Sequence, residues 1–247
     1  MLRRIVRRFL PRREHPLLDR VERIPSDDAL EGRYRAAVVS DSSDSFIAAR
    51  YYEGTRWRTV LHGFVPPSAR LLDLGAGDGA IELAMSAGGY KAFSVEREWN
   101  DVAKILGVRR VIADVGALPF RRSVFDVVLC LELIEHLSQV SAAVPEIMRV
   151  ARSGAYVLLT TPARWRYFLR RDPHFGIPLL TLWPAPVQRR IAAARGFDQP
   201  HHYVNRIYSS VTQIARTLFP LQIVAVLSRS RMPSRWFWDA IFLRNLK

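Results

Sequence analysis

The chain has 247 residues, of which 49% are hydrophobic and 24% are charged. This balance is typical of a folded domain and excludes wholesale disorder. No apolar run reaches the roughly 18 residues that a membrane-spanning helix needs, and the single cysteine, Cys130, excludes an internal disulfide. We therefore expect one large domain in a reducing compartment, the cytoplasm, without a signal peptide.

The basic residues are unevenly distributed along the chain. The formal net charge is +14, from 37 basic and 23 acidic residues. Residues 1–13 place apolar side chains at helical spacing among six arginines. This pattern indicates a short basic amphipathic helix, which either docks on an anionic membrane surface or packs on its own domain. We assign residues 1–45 to a basic N-terminal arm and residues 46–247 to the main domain.

After the arm, the elements alternate between helices and strands. A first helix is predicted over 46–64, with Asp44 or Ser45 as its cap. Strands are then predicted over 70–74, 90–96, 108–113, 124–131, 155–160, 221–227 and 236–243, and helices over 79–87, 99–106, 140–150 and 209–219. The alternation predicts an α/β fold with a doubly wound, mostly parallel, seven-stranded Rossmann-like sheet.

The alternation is interrupted after the fifth strand, over residues 162–205. This insertion is rich in proline and aromatic residues, and residues 162–206 hold eight arginines against two aspartates. We expect it to cover the ligand-binding edge of the sheet. Its arginines either clamp a phosphate or carboxylate or form a solvated basic face.

The strongest local signal is the stretch Leu71–Gly79, LLDLGAGDG, in which a buried strand runs into a glycine-rich turn. Glycines let the backbone turn tightly and approach a ligand closely. Carboxylates mark three successive strand ends around this turn: Asp73, Glu96 and Asp114. Such a set suits a cationic nucleoside and suits a pyrophosphate poorly, which disfavours an NAD dehydrogenase.

Residues 70–161 resemble the class I S-adenosylmethionine (SAM)-dependent methyltransferases, in the group of the ubiquinone and menaquinone methyltransferases. The matching stretches are LLDLGAGDG, FSVERE, ADVGALPF, FDVVLCLELIEHL and EIMRVARSGAYVLLTTP. The resemblance implies a SAM cofactor, with the glycine turn at its amino-acid part, Glu96 at its ribose and Asp114 at its adenine. The cofactor-binding residues that it implies are Asp73, Gly75, Gly77, Glu96, Asp114, Val115, Leu118 and Leu131.

Two histidines are candidates for a general base on the methyl acceptor. His174 lies in the rigid turn Asp-Pro-His-Phe-Gly of the insertion, and His136 follows the fourth strand. His136 alternatively packs or caps the next helix. A histidine with an ordinary pKa of about 6.5 suits proton removal from a hydroxyl. We expect no metal site, because the adjacent His201 and His202 have no acidic partner at metal-ligand spacing.

The expected activity is methyl transfer from SAM to a small molecule or to a glycan or lipid acceptor, with oxygen as the favoured target. The insertion resembles acceptor lids of bacterial methyltransferases that act on sugars and lipids. A nucleic-acid methyltransferase is an alternative that the net charge suggests. However, the position after the fourth strand reads LELIEH, whereas base N-methyltransferases typically carry Asn/Asp-Pro-Pro-aromatic there. A non-catalytic SAM-fold protein is the other alternative, although its glycine turn would be expected to be damaged.

Overall fold

The computed structural model of the protein describes residues 43–98, 108–167, 176–196, 207–227 and 240–246. Its strands are β1 Arg70–Leu74, β2 Lys91–Glu96, β3 Arg110–Ile112, β4 Phe125–Leu131, β5 Ala151–Thr160, β6 Gln222–Leu227 and β7 Ala240–Arg244. Its helices are α1 Ser43–Leu61, α2 Ala80–Ala87, α3 Val140–Val150, α4 Ala185–Ala194 and α5 Val211–Thr217. None of these helices is long and apolar enough to cross a membrane.

The strands of the described residues form one sheet in the order β3-β2-β1-β4-β5-β7-β6. The first five strands pair in parallel, and β7 runs antiparallel to both β5 and β6. The sheet is therefore mostly parallel with seven strands, as predicted. The carboxyl ends of β1 to β5 consequently lie along one edge, where open α/β sheets bind their ligands.

The central strand β4 shows why the sheet is buried on both faces. Every residue from Phe125 to Leu131 is buried, and successive side chains of a strand point to opposite faces. Val128 packs in an apolar cluster with residues of α3 and α5, and Val127 packs in a second cluster with residues of α1 and α2. Helices on both faces thus enclose a parallel sheet, the arrangement that βαβ units produce.

Strand β1 and helix α3 coincide with their predicted bounds, and the other described elements differ at their ends. The first helix was predicted to begin after a cap at Asp44 or Ser45, and this is wrong, because both residues lie within α1. Strand β5 begins at Ala151, four residues before the predicted start, because Ala151 already pairs with Phe125. The arm helix of residues 1–13 and the predicted helix 99–106 lie outside the described residues.

The insertion leaves the sheet at the carboxyl end of β5 and returns close to the same place. A single-turn helix, Arg164–Tyr167, follows β5, and a second one, Leu180–Leu182, precedes α4. Ala163 forms a parallel bridge with Tyr208 at the start and end of the insertion. The guanidinium of Arg164 donates to the Leu182 carbonyl at 3.1 Å. The described part of the insertion is therefore anchored beside the ligand-binding edge.

Candidate cofactor and acceptor site

The glycine turn after β1 is held in a backbone conformation that favours glycine. Gly75 and Gly77 have φ angles of +69° and +57°. The amide of Gly75 donates to the Val95 carbonyl of β2 at 2.9 Å, which ties the turn to the neighbouring strand. A Cβ on Gly75 would meet the Leu133 side chain at 2.8 Å, whereas a Cβ on Gly77 would have no protein atom within 4 Å. The space next to Gly75 is therefore filled by protein, whereas the space above Gly77, on the side where its Cβ would point, is open.

Asp73 lies buried beneath this turn, with only 2% of its surface exposed. Its Oδ2 atom has no hydrogen-bond partner in the protein. Burial, reinforced by Glu82 and Glu96, raises the pKa of this carboxyl to about 8, although Arg50 and Arg110 oppose the shift. A buried carboxyl with an unused oxygen has a strong tendency to accept a proton or to meet a cationic ligand.

The raised pKa predicts how Asp73 affects stability. In the folded state the Asp73 carboxyl keeps its proton up to a pH of about 8, whereas an unfolded Asp loses it at about pH 4. The free energy of unfolding should therefore fall as the pH rises between these values. Asp73→Asn removes the titrating group, and we expect a flatter pH dependence and a more stable protein at about pH 8. Urea denaturation of both proteins across this pH range measures the free energy of unfolding. The same pH dependence of this free energy in the wild type and in Asp73→Asn would contradict the prediction.

Glu96, at the carboxyl end of β2, holds the glycine turn from the other side. Its Oε2 accepts from the Gly77 amide at 2.9 Å, and its Oε1 accepts from the Arg97 amide at 2.9 Å. Each carboxylate oxygen has a second lone pair, so Glu96 retains acceptor capacity beside the open side of the turn. This is the position that the sequence predicted for a ribose-binding carboxylate.

We expect Glu96→Ala to weaken SAM binding by about 1–3 kcal/mol, because the ribose loses a charge-assisted acceptor and the turn loses its anchor. Glu98→Ala is the matched control, since Glu98 is an exposed carboxylate two residues further on. Titration calorimetry measures both affinities. Unchanged binding by Glu96→Ala would place the ribose away from β2.

The loop after β3 carries the third predicted carboxylate. Asp114 is exposed, and its Oδ1 accepts from the Gly116 amide at 2.7 Å, which fixes the loop locally. Val115 and Leu118 are buried in the larger apolar cluster. Their side chains thus pack against the core, whereas Asp114 is exposed at the surface of the loop.

An ion pair on α3 supports the same loop and was not foreseen from the sequence. Glu146 accepts from the Leu118 amide at 2.8 Å and from Arg149, whose guanidinium also donates to the carbonyls of Leu118 and Phe120. These contacts lower the pKa of Glu146, chiefly through the hydrogen bond from Arg149. The spacing of three residues between Glu146 and Arg149 is a local signal that could have indicated the pair, although not its contact with the loop.

The end of β4 forms the other side of the site. Leu131 is buried as the last residue of β4. Glu132 follows with φ +50°, which is uncommon for a residue other than glycine, and its amide donates to the Thr160 carbonyl at 3.1 Å and to the Thr160 hydroxyl at 3.0 Å. Such conformations are concentrated at functional sites. Strand β4 therefore ends in a fixed kink that turns the chain at the ligand-binding edge.

Glu135 and His136 follow this kink, and both are relevant to the choice of a general base. Glu135 is fully buried and accepts from the Thr161 hydroxyl at 3.0 Å. Burial, followed by the charge of Glu132, raises its pKa well above its usual range. His136 is half-buried, and its amide donates to the Leu133 carbonyl at 2.9 Å. His136 is thus placed by the end of β4, and His174 lies outside the described residues.

These residues fit the cofactor that the sequence predicted. Asp73 offers an unused buried oxygen, the space above Gly77 is open, and Glu96 and Asp114 flank the turn at the next two strand ends. Among the described residues, no three His, Cys, Asp or Glu side chains are grouped as metal ligands. Cys130 is buried in β4, as its place in an apolar strand predicts.

The chain is similar to known methyltransferases. A methyltransferase domain family matches residues 72–159. An uncharacterized methyltransferase of Mycobacterium leprae is 31% identical over 203 residues, which cover 75% of this chain and 70% of that protein. Demethylmenaquinone methyltransferase of Roseiflexus castenholzii is 31% identical over 149 residues, and here the match covers 57% of this chain and only 63% of the relative.

A solved structure shows the same fold. It is geranyl diphosphate C-methyltransferase of Streptomyces coelicolor in complex with Mg²⁺, geranyl-S-thiolodiphosphate and S-adenosyl-L-homocysteine. The TM-score is 0.53 at 15% sequence identity, and the match covers 78% of this chain and 76% of that one.

Proposed function

Since the chain belongs to the class I SAM-dependent methyltransferases, we propose that it transfers the SAM methyl group to a small-molecule, glycan or lipid acceptor that carries negative charge, with oxygen as the methylated atom. The observation that supports cofactor binding best is the buried carboxyl of Asp73 beneath the glycine turn. The turn is open above Gly77 and is bonded to Glu96. SAM supplies an activated methyl group when bound, so the protein mainly aligns the acceptor with it.

Each part of the site has a role in this proposal. The backbone of the glycine turn approaches the amino-acid part of the cofactor, with Asp73 below it. Glu96 accepts from the ribose hydroxyls, and Asp114 meets the adenine. Asp73, beneath the turn, lies in a low-dielectric setting, where a cationic ligand gains most from a carboxylate.

The acceptor is proposed to enter from the side of β4, β5 and the insertion. The ends of β1 to β3 are assigned to the cofactor, which leaves the ends of β4 and β5 for a second ligand. The described residues of the insertion, 162–167 and 176–196, contain five arginines and no acidic residue. This charge favours an acceptor with a phosphate or carboxylate group. The relative named demethylmenaquinone methyltransferase supports a small-molecule acceptor. The similarly folded geranyl diphosphate C-methyltransferase is named for a small molecule that carries negative charge on its diphosphate.

A general base, His174 first and His136 second, would remove the proton of an acceptor hydroxyl. The basic helix predicted at residues 1–13 would add contact with an anionic membrane surface. A nucleic-acid acceptor is the second candidate, and only the net charge of +14 favours it.

The acceptor class is tested with cell extract, purified protein and methyl-labelled SAM. Separation of the labelled products by anion exchange, followed by mass spectrometry, identifies both their charge and the methylated atom. We expect the label in a small anionic product bearing a new methyl ether or ester. Label confined to nucleic acid would refute the small-molecule assignment. A neutral product bearing a methyl ether would refute the role of the arginines, whereas a neutral methyl ester would not, because esterification removes the charge of a carboxylate acceptor.

A further inference from the structure

The insertion exposes an apolar surface beside the acceptor edge of the sheet. Leu179, Leu182 and Trp183 are exposed by 45%, 37% and 52%. We name these three side chains, together with Arg189 and Arg190 on α4, the Trp183 surface. Both arginines are exposed. Exposed large apolar side chains that are grouped in one segment mark a contact site more often than scattered ones do.

Contacts within the insertion keep these residues together. The Trp183 carbonyl accepts from the Gln188 side chain of α4 at 2.7 Å, which joins the apolar turn to the helix that carries the arginines. The inner face of α4 is anchored by Ala192, which packs in a small apolar cluster with Ile177 and Leu180. The insertion thus has a small apolar core of its own, formed by residues next to the exposed ones in sequence. The apolar residues of the Trp183 surface lie outside this core and are exposed.

The backbone of Leu179 gives a second, independent indication. Its φ angle is +59°, a conformation that is a genuine outlier for a bulky residue. A side chain in this conformation is strained. The turn thus holds a leucine in a strained conformation and directs it to the surface, and neither feature stabilises the fold.

We propose that the Trp183 surface docks on an anionic lipid bilayer. Tryptophan and leucine bury their apolar parts at the interface between headgroups and acyl chains, and nearby arginines attract anionic lipids. The segment of residues 176–196 has no acidic residue to oppose this attraction. A second copy of the chain fits less well, because a two-fold contact would bring the same basic surface to both sides of the interface.

The Trp183 surface lies near the end of β5, so docking on a membrane would affect access to the acceptor edge. The Leu182 carbonyl is bonded to Arg164, which follows closely after the end of β5. Docking would therefore hold the acceptor edge of the sheet close to the membrane. This inference concerns an interaction surface and does not depend on which acceptor is methylated.

Co-sedimentation with vesicles tests the proposal in the full-length protein. Vesicles of phosphatidylcholine with phosphatidylglycerol should bind the protein, and vesicles of phosphatidylcholine alone should bind it much less. The double variant Leu182→Ser with Trp183→Ser should lose at least about tenfold in vesicle affinity, since two large apolar side chains no longer enter the interface. Because residues 1–13 are present in every protein compared, any contribution from them stays constant.

Phe219→Ser is the matched control. Phe219 is 78% exposed, but it precedes β6, which is parallel to β5, so it lies at the opposite edge of the sheet. This variant should bind vesicles like the wild type. Calorimetry with SAM should give the same affinity for all three proteins, which verifies that they are folded.

A second variant keeps the test valid if the double serine variant does not fold. Arg189→Gln with Arg190→Gln changes only exposed side chains, and it should weaken binding to the anionic vesicles selectively. Three results would overturn the proposal: no vesicle binding by the wild type, unchanged binding by both the serine and the glutamine variants, or equal loss in Phe219→Ser.

Discussion

Replacement of Gly77 by valine is expected to abolish SAM binding, with a loss of affinity of at least about 100-fold. No protein atom lies within 4 Å of a Cβ built at this position, so the new side chain would occupy the space proposed for the cofactor. Valine at a φ of +57° is strained as well, which costs about 1–3 kcal/mol. Titration calorimetry with SAM measures the loss of binding, and thermal denaturation measures the loss of stability.

Gly196→Val separates these two effects. Gly196 also has a positive φ, +84°, and a Cβ added to it would likewise have no protein atom within 4 Å. It follows α4 and lies far from the glycine turn in the chain. The two variants should lose comparable stability, and only Gly77→Val should lose SAM binding. A Gly77→Val protein that binds SAM like the wild type would refute the placement of the cofactor at this turn.

The largest effect on turnover is expected for His174→Gln, which should slow methyl transfer by about 10²-fold or more while SAM affinity stays unchanged. Glutamine retains hydrogen-bonding capacity but cannot accept the proton of an acceptor hydroxyl. His174 itself lies outside the described residues. The turn predicted for it from the sequence ends at Gly176, which is described and has a φ of +64°.

Two further histidines complete this experiment. His136→Gln tests the second candidate, which lies at the end of β4. His62→Gln is the control, because His62 is exposed before β1, at the opposite edge of the sheet, where its ring contacts Tyr90. Normal turnover in His174→Gln would remove His174 from the mechanism. Normal turnover in both His174→Gln and His136→Gln would indicate an acceptor that needs no base, and the proposed methylation of a hydroxyl would be wrong.

Local sequence patterns predicted the elements that build the cofactor site. The apolar run ending in Asp73, followed by glycines with a helix after them, has one common structural solution, and β1, the turn and α2 form it. The same holds for Glu96 at the end of β2. In each case the information lies within about ten consecutive residues, so the pattern and the structure agree closely.

Features that depend on residues far apart in the chain could not be predicted in this way. Strand β7 lies between β5 and β6, an order that the chain sequence of the strands does not reveal. The burial of Glu82, which accepts from the Arg109 amide 27 residues away, depends on how α2 meets the start of β3. Val115, which the family resemblance places beside the adenine, packs in the larger apolar cluster, and this packing depends on residues far away in the chain.

The backbone conformation of Glu132 also could not be predicted from the sequence. Nothing in the letters LELIEH indicates a positive φ, which arises because the Glu132 amide bonds to Thr160 on the neighbouring strand. The acceptor side of the site depends on such contacts and on the insertion. For this reason the sequence offers individual candidates for cofactor binding but predicts the acceptor only as a class.

The most direct test of the cofactor site is a calorimetric titration of the wild-type protein with SAM, with its demethylated product and with NAD in parallel. We predict that SAM and its product bind one to one with micromolar affinity, that Glu96→Ala weakens both, and that NAD does not bind. Clear binding of NAD without binding of SAM would contradict the assignment of Asp73, Gly77 and Glu96 to a methyl-donor site.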